Sequence, residues 1–206
     1  MLVGRSTFFV FLVSPLSQEF FPAVLTFEQS FYCPPPFLDV PLNWTATASG
    51  LMNNGGWQIT NNGQTLRFNV EESDDGFCGD FNPNEQSGTA TATFTLSEAA
   101  ELTATVWGVG EPFEAGNEVM NVTLTNPTLG TSQIIGQGQN TQIAVDPSCA
   151  IVVTPACCAS VPIDTTVLVP TVLEPGTYTI TIDFSTFDGA YHVNAYFQTD
   201  LVFIPV

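Results

Sequence analysis

The sequence predicts an all-β protein: a two-sheet antiparallel β-sandwich, jelly-roll-like, preceded by an extended apolar N-terminal segment. Three observations carry this. Apolar and hydroxyl residues alternate with a period of two through most of the chain, the mark of half-buried strands. Turn-forming pairs such as Asn62-Gly63 and Pro175-Gly176 punctuate the alternation. No stretch sustains a helical period.

The boundaries follow from these signals. Residues 1–36 form the extension and 37–206 the sandwich domain, which at this length is commonly a single core. Residues 64–70 read as a strand opened by the Asn62-Gly63 hairpin. In residues 89–96, Ala90, Ala92, Phe94 and Leu96 share one face and Thr89, Thr91, Thr93 and Thr95 the other. A tight connection at 97–101 leads to Leu102, Ala104 and Val106, which alternate with Thr103 and Thr105. Further strands are expected at 118–124, 142–145, 150–154, 165–172, 191–197 and 201–204. Tyr178, Ile180, Ile182 and Phe184 define another. Gly136 with Gly138, Asp75-Gly76, Asp188-Gly189 and Asn54-Gly55-Gly56 read as turns. The disulfide and core Trp of an immunoglobulin domain are not recognisable, which favours the jelly roll among sandwiches.

Charge narrows the function. The chain has no lysine, two arginines (Arg5 and Arg67) and 20 acidic residues, for a net charge of -18. Total charge is 11%, against about 25% in an average protein, so what is missing is the basic side. Such a surface cannot neutralise phosphates, dock on anionic lipid or hold a nucleoside triphosphate by side-chain charge. Nucleic-acid and membrane partners are therefore not expected. The neutral Thr, Asn, Gln and Ser surface suits an extracellular or cell-surface protein that need not repel its own copies. Five cysteines fit an oxidising compartment, and their odd number leaves at least one without an intrachain partner. Cys149 with Cys157 or Cys158 is the candidate disulfide. Cysteine spacings match no zinc site.

Candidate sites are each weighed against a plainer reading. The one histidine, His192, lies in an alternating run with no nucleophile elbow elsewhere, and no carboxylate pair can be aligned from sequence, so an enzyme is not expected. Asp74, Asp75, Asp80, Asn82 and Asn84 supply closely spaced oxygen ligands suited to calcium. An EF-hand is excluded, because Glu85 stands where its glycine belongs and Thr91 where its bidentate Glu belongs. The plainer reading is a solvated acidic loop, and the same choice applies to the loop from Glu111 to Glu118. Sequons at Asn43 and Asn121, with outward Thr89, Thr91 and Thr93, are glycosylation candidates; outward threonines are also simply good strand residues. Trp44, Trp57 and Trp107 are either core or a stacking platform for sugar rings.

The run Pro175-Gly-Thr-Tyr-Thr-Ile-Thr-Ile-Asp183 resembles the late strand of secreted bacterial sandwich domains. With its apolar extension, the chain is similar in outline to secreted β-sandwich subunits that polymerise by strand donation, such as pilins and environmental extracellular filaments. That resemblance implies a structural subunit whose partners are copies of itself, joined head to tail through an N-terminal strand. Seven of the 17 phenylalanines lie between Phe8 and Phe31. The strand candidates are Phe8, Phe9, Phe11, Phe20, Phe21, Val24, Leu25, Phe27 and Phe31, ahead of the Pro34 to Pro36 break. A secretion signal starting at Arg5 is the alternative for the first part of this segment. The competing function is a secreted carbohydrate-binding or adhesive module, stabilised by calcium if the acidic loop holds it, with glycans as partners.

Overall fold

The computed structural model describes residues 6–12, 21–27, 37–51, 55–70, 81–110, 118–141, 161–166, 168–191 and 195–206. Of these, 6–12, 21–27, 81–84, 161 and 187–191 are described by backbone alone. The chain forms two compact units, Met1–Pro35 and Pro36–Val206. In the first, β1 (Ser6–Leu12) and β2 (Phe21–Phe27) pair antiparallel, from Ser6 opposite Phe27 to Leu12 opposite Phe21. The apolar segment is thus extended as two strands that satisfy each other's backbone.

The second unit is the expected antiparallel sandwich. One sheet orders β11 (Asp164–Thr166), β9 (Thr131–Gln139), β8 (Glu118–Asn126), β13 (Gly176–Tyr191), β6 (Phe81–Leu96) and β3 (Trp44–Ser49). The other orders β10 (Val161–Pro162), β7 (Ala100–Gly110), β14 (Tyr196–Pro205), β5 (Thr65–Asn69) and β4 (Gly56–Thr60), with β12 (Thr171–Leu173) also on β7. Alternation decides what lies between the sheets. Ala90, Ala92, Phe94 and Leu96 on β6 meet Leu102 and Val106 on β7 and Phe197, Leu201 and Phe203 on β14, all buried. Two aromatic groups fill the core. Phe68, Phe184 and Phe197 form one, with centroids 4.3 Å apart for the first two and 5.1 Å for the last two. Phe94 with Tyr178 and Phe203 forms the other, at 5.8 and 5.3 Å. Each buried Phe contributes about 1.5–3 kcal/mol and each ring pair about 0.5–1.5 kcal/mol more.

Several sequence expectations are corrected. Gly136 and Gly138 do not turn the chain; they lie inside β9. A Cβ on Gly138 would sit 2.6 Å from Val106 Cγ1, and one on Gly136 3.1 Å from Ala104, so the two sheets approach too closely there for a side chain. Residues 165–172 are not one strand: β11 joins β9 and β12 joins β7, with Pro170 between them. Asp188-Gly189 is not a turn but a register shift inside β13. Tyr191 ends β13, and residues 196–205 run as one strand, β14. The expected strands at 142–145 and 150–154 lie outside the described residues. The hairpin at Asn62-Gly63 is present, with Asn61 and Asn62 at φ 51 and 52, a left-handed conformation that Asn tolerates.

Residues 61–64, 97–99, 127–130 and 174–175 close one end of the sandwich with short connections. Asn69, Gly110, Glu118 and Gln139 end or open their strands at the other.

Candidate functional site

Each sheet has an outer face, and the two differ in chemistry. On the β6 sheet, threonines lie opposite threonines. Thr93 shares a hydrogen bond with Thr179 and Thr95 with Thr177, each at 3.1 Å, and Thr89 donates to Asp183 at 2.7 Å. Such cross-strand pairs contribute about 0.2–1 kcal/mol each. Thr89 and Thr93 are exposed, and Thr91 and Asn121 half-buried. Asn121 Oδ1 accepts from Gln137 Nε2 at 2.8 Å, while Asn43 is exposed ahead of β3.

The outer face of the other sheet is aromatic and polar. In β7 the side chains of Leu102, Ala104 and Val106 point inward, which turns Trp107 outward to 39% exposure. Gln198 on β14 lies opposite Trp107 on one side and Arg67 of β5 on the other; Gln58 of β4 follows. The next row is Thr105, Asp200, Thr65 and Thr60. Asp200 ties the rows together. Its carboxylate accepts from Trp107 Nε1 at 2.6 Å, Thr65 Oγ1 at 2.9 Å and Gln198 Nε2 at 3.1 Å. The indole is thereby fixed, and the edge of one ring meets the face of the other where Trp107 contacts Tyr196, with centroids 5.8 Å apart at 85°. Arg67 caps the opposite strand pair, its Cζ 3.6 Å from the Tyr196 ring centre, a cation–π contact. Gly108 lets β7 lie close against the Tyr196 backbone: a Cβ there would fall 2.0 Å from the Tyr196 carbonyl oxygen.

A groove of about 530 Å³ borders the same Asp200 and Thr65 and is walled by Phe37, Asp39, Asn61, Asn62, Gln64 and Val202. Asn62 Nδ2 donates to Asp39 Oδ1 at 2.8 Å, and Gln64 Nε2 to the Leu38 carbonyl at 3.2 Å. A second groove, of about 520 Å³, lies between the β8–β9 turn and the approach to β13, with Leu129 and Val172 at its lips.

The three tryptophans therefore part company. Trp44 and Trp57 pack against the core, and their Nε1 atoms donate to the Gly63 and Thr47 carbonyls at 2.8 and 3.0 Å. Trp107 alone of the three is on the wet side. Extending the alternation of Leu102, Ala104 and Val106 by one residue would have found it. Its partners Tyr196 and Asp200, and Arg67 stacked on Tyr196, come from strands distant in sequence, so no local signal marks them.

Other candidates are placed less fully. Phe8, Phe9 and Phe11 lie in β1 and Phe21, Val24, Leu25 and Phe27 in β2, whereas Phe20 and Phe31 lie outside the described residues. Asn82 and Asn84 fall at the start of β6; Asp74, Asp75 and Asp80 lie outside the described residues, as do His192 and all five cysteines, Cys149, Cys157 and Cys158 among them. Among the described residues no group of three or more His, Cys, Asp or Glu is placed to hold a metal ion. Glu118 opens β8 and is buried, its Oε2 accepting from Asn140 Nδ2 at 3.2 Å, in an inner-face row with buried Thr186 and Gln86.

Sequence comparison with protein-family models finds no match, and comparison with curated proteins finds none either. Among solved structures, one likeness is to a carbohydrate-binding module in complex with β-1,4-galactotriose, at TM-score 0.41 and 8% identity, covering 79% of this chain and 88% of that one. Another is to a structure from work on the promiscuous specificity of carbohydrate-binding modules of the β-sandwich superfamily, at TM-score 0.25 and 10% identity, covering 99% and 73%. Likeness at that level bears on neither ligand nor site.

Proposed function

We propose that this chain is an extracellular carbohydrate-binding β-sandwich that holds neutral sugar against the outer face of β7, β14 and β5. The observation that carries the reading is Trp107: a large apolar ring, 39% exposed, held on a rigid strand by a hydrogen bond to Asp200. A sugar ring offers an apolar C–H face and a polar rim. Trp107 suits the first, while Gln198 and Thr105 beside it, and Arg67 across β14, suit the second. The face acts by binding; no nucleophile or general base is invoked. Retardation of the native chain in gels carrying neutral polysaccharide, lost in Trp107→Ala and kept in Trp44→Phe, is the expected result. Equal retardation of all three proteins would defeat the reading.

A second reading, a self-assembling filament subunit, is favoured by one observation: the apolar segments β1 and β2 pair in a compact unit of their own. A two-stranded hairpin by itself is marginal in water, and a neighbouring copy is a fitting source of cover. On this reading the donated element is a hairpin rather than one strand. Electron microscopy of the full chain beside a chain lacking residues 1–35 tests it: fibres only from the full chain support it, and fibres from both, or from neither, reject it.

A further inference from the structure

The groove beside Asp200 is not a separate feature from the Trp107 face. Leu38 packs on the core and donates its N–H to the Phe203 carbonyl at 2.9 Å, so residues 37–39 run beside the end of β14. Leu38 and Val40 face inward; Phe37, 65% exposed, and Asp39 therefore turn to the outer side with Asp200 and Val202. The outer face then reads obliquely across β14 as Trp107, Gln198, Asp200, Val202 and Phe37. Val202 lies four steps along the strand from Gln198, about 14 Å at about 3.4 Å each. Two exposed aromatic side chains thus stand at the ends of a polar strip too long for a single sugar ring.

Resting on the sugar-binding reading, we infer that this strip holds an extended, uncharged polysaccharide chain, with one sugar on Trp107 and a later one in the groove against Phe37. Charge selects the class. Asp39 and Asp200 both line the groove, the whole chain carries -18, and the one Lys or Arg side chain among the described residues, Arg67, is stacked on Tyr196. Uronate and sulfated chains would meet like charge along the strip. Asn62 donates to Asp39 and fixes both side chains at the rim, so the groove is formed before the ligand arrives.

Isothermal titration of the full chain tests this with β-1,4-linked oligomers of glucose, mannose and galactose, two and six units long, and with polygalacturonate. In the neutral series that binds, six units should bind at least about tenfold more tightly than two. Phe37→Ala should remove that gain, and Phe37→Tyr should restore it. Trp107→Ala should weaken both lengths. A length gain that survives Phe37→Ala, no length gain in the parent chain, or polygalacturonate bound as tightly as the neutral series overturns the extended strip while leaving the Trp107 reading intact. Failure of every neutral oligomer to bind removes both. Because Phe37 is mostly exposed, its variants should melt with the parent, and a matching melt ties any affinity change to the groove.

Discussion

Replacing Asp200 by alanine removes the acceptor on which Trp107, Thr65 and Gln198 converge, at 2.6, 2.9 and 3.1 Å. A hydrogen bond to a charged group contributes about 1.5–3 kcal/mol when shielded, but exposed ion-assisted contacts are worth far less. Asp200 is half-buried, so the three together are worth about 2 kcal/mol. For a sandwich of this size that lowers the melting temperature by about 4–8 °C. On the proposed sugar-binding reading the released indole must also be re-ordered for contact, which costs about 0.5–1.5 kcal/mol, or about two- to tenfold in affinity. Asp200→Asn keeps one acceptor and should fall between parent and alanine variant in both respects. Calorimetric melting and titration with a neutral oligosaccharide read the two effects on the same samples. A variant that melts within about 1 °C of the parent, the range of a neutral surface change, and binds with parent affinity would refute the idea that Asp200 organises this face.

Three further outcomes are expected. Gly138→Ala should destabilise the sandwich by about 1–3 kcal/mol, because its methyl group meets Val106 and Ile163, whereas Gly176→Ala, with no atom nearer than 3.7 Å, should stay within about 0.5 kcal/mol; denaturant titration of both checks the pair. Trp44→Phe should lose about 1 kcal/mol with its bond to the Gly63 carbonyl yet leave sugar affinity unchanged, as read by melting and titration together. Native material should exceed the bare polypeptide mass of 22.1 kDa if the exposed Thr89, Thr93 or Asn43 carries sugar, and an intact mass equal to the polypeptide would dismiss that modification.

What the sequence made legible is what alternation encodes. The inward residues of β6, β7 and β13 were readable because a strand with one wet face writes its burial every second residue, and the buried set matches: Ala90, Phe94, Leu102, Val106, Ile180 and Phe184. Glycine was the misleading letter. In β9 it answers to the closeness of Val106 and Ala104 across the sandwich, and at Gly189 to a register shift, so neither position turns the chain. Pro170 divides the 165–172 run into strands that belong to different sheets, a break that an alternating pattern does not register. The Trp107 face was half legible. Local alternation points the indole outward, but its hydrogen bond to Asp200 spans 93 residues and the Thr65 contact 135, and only strand order brings these together.

On the proposed sugar-binding reading, Trp107 and neither of the other two tryptophans meets the ligand. The chain has three tryptophans, so a nitrogen–proton NMR spectrum carries three indole signals, and Trp107→Phe assigns one of them by its loss. Titrating the neutral hexasaccharide that binds most tightly into the full chain should move the Trp107 signal progressively and leave those of Trp44 and Trp57 in place. A titration through the whole neutral series in which the Trp107 signal never moves, or in which Trp44 or Trp57 moves in its stead, would contradict the account.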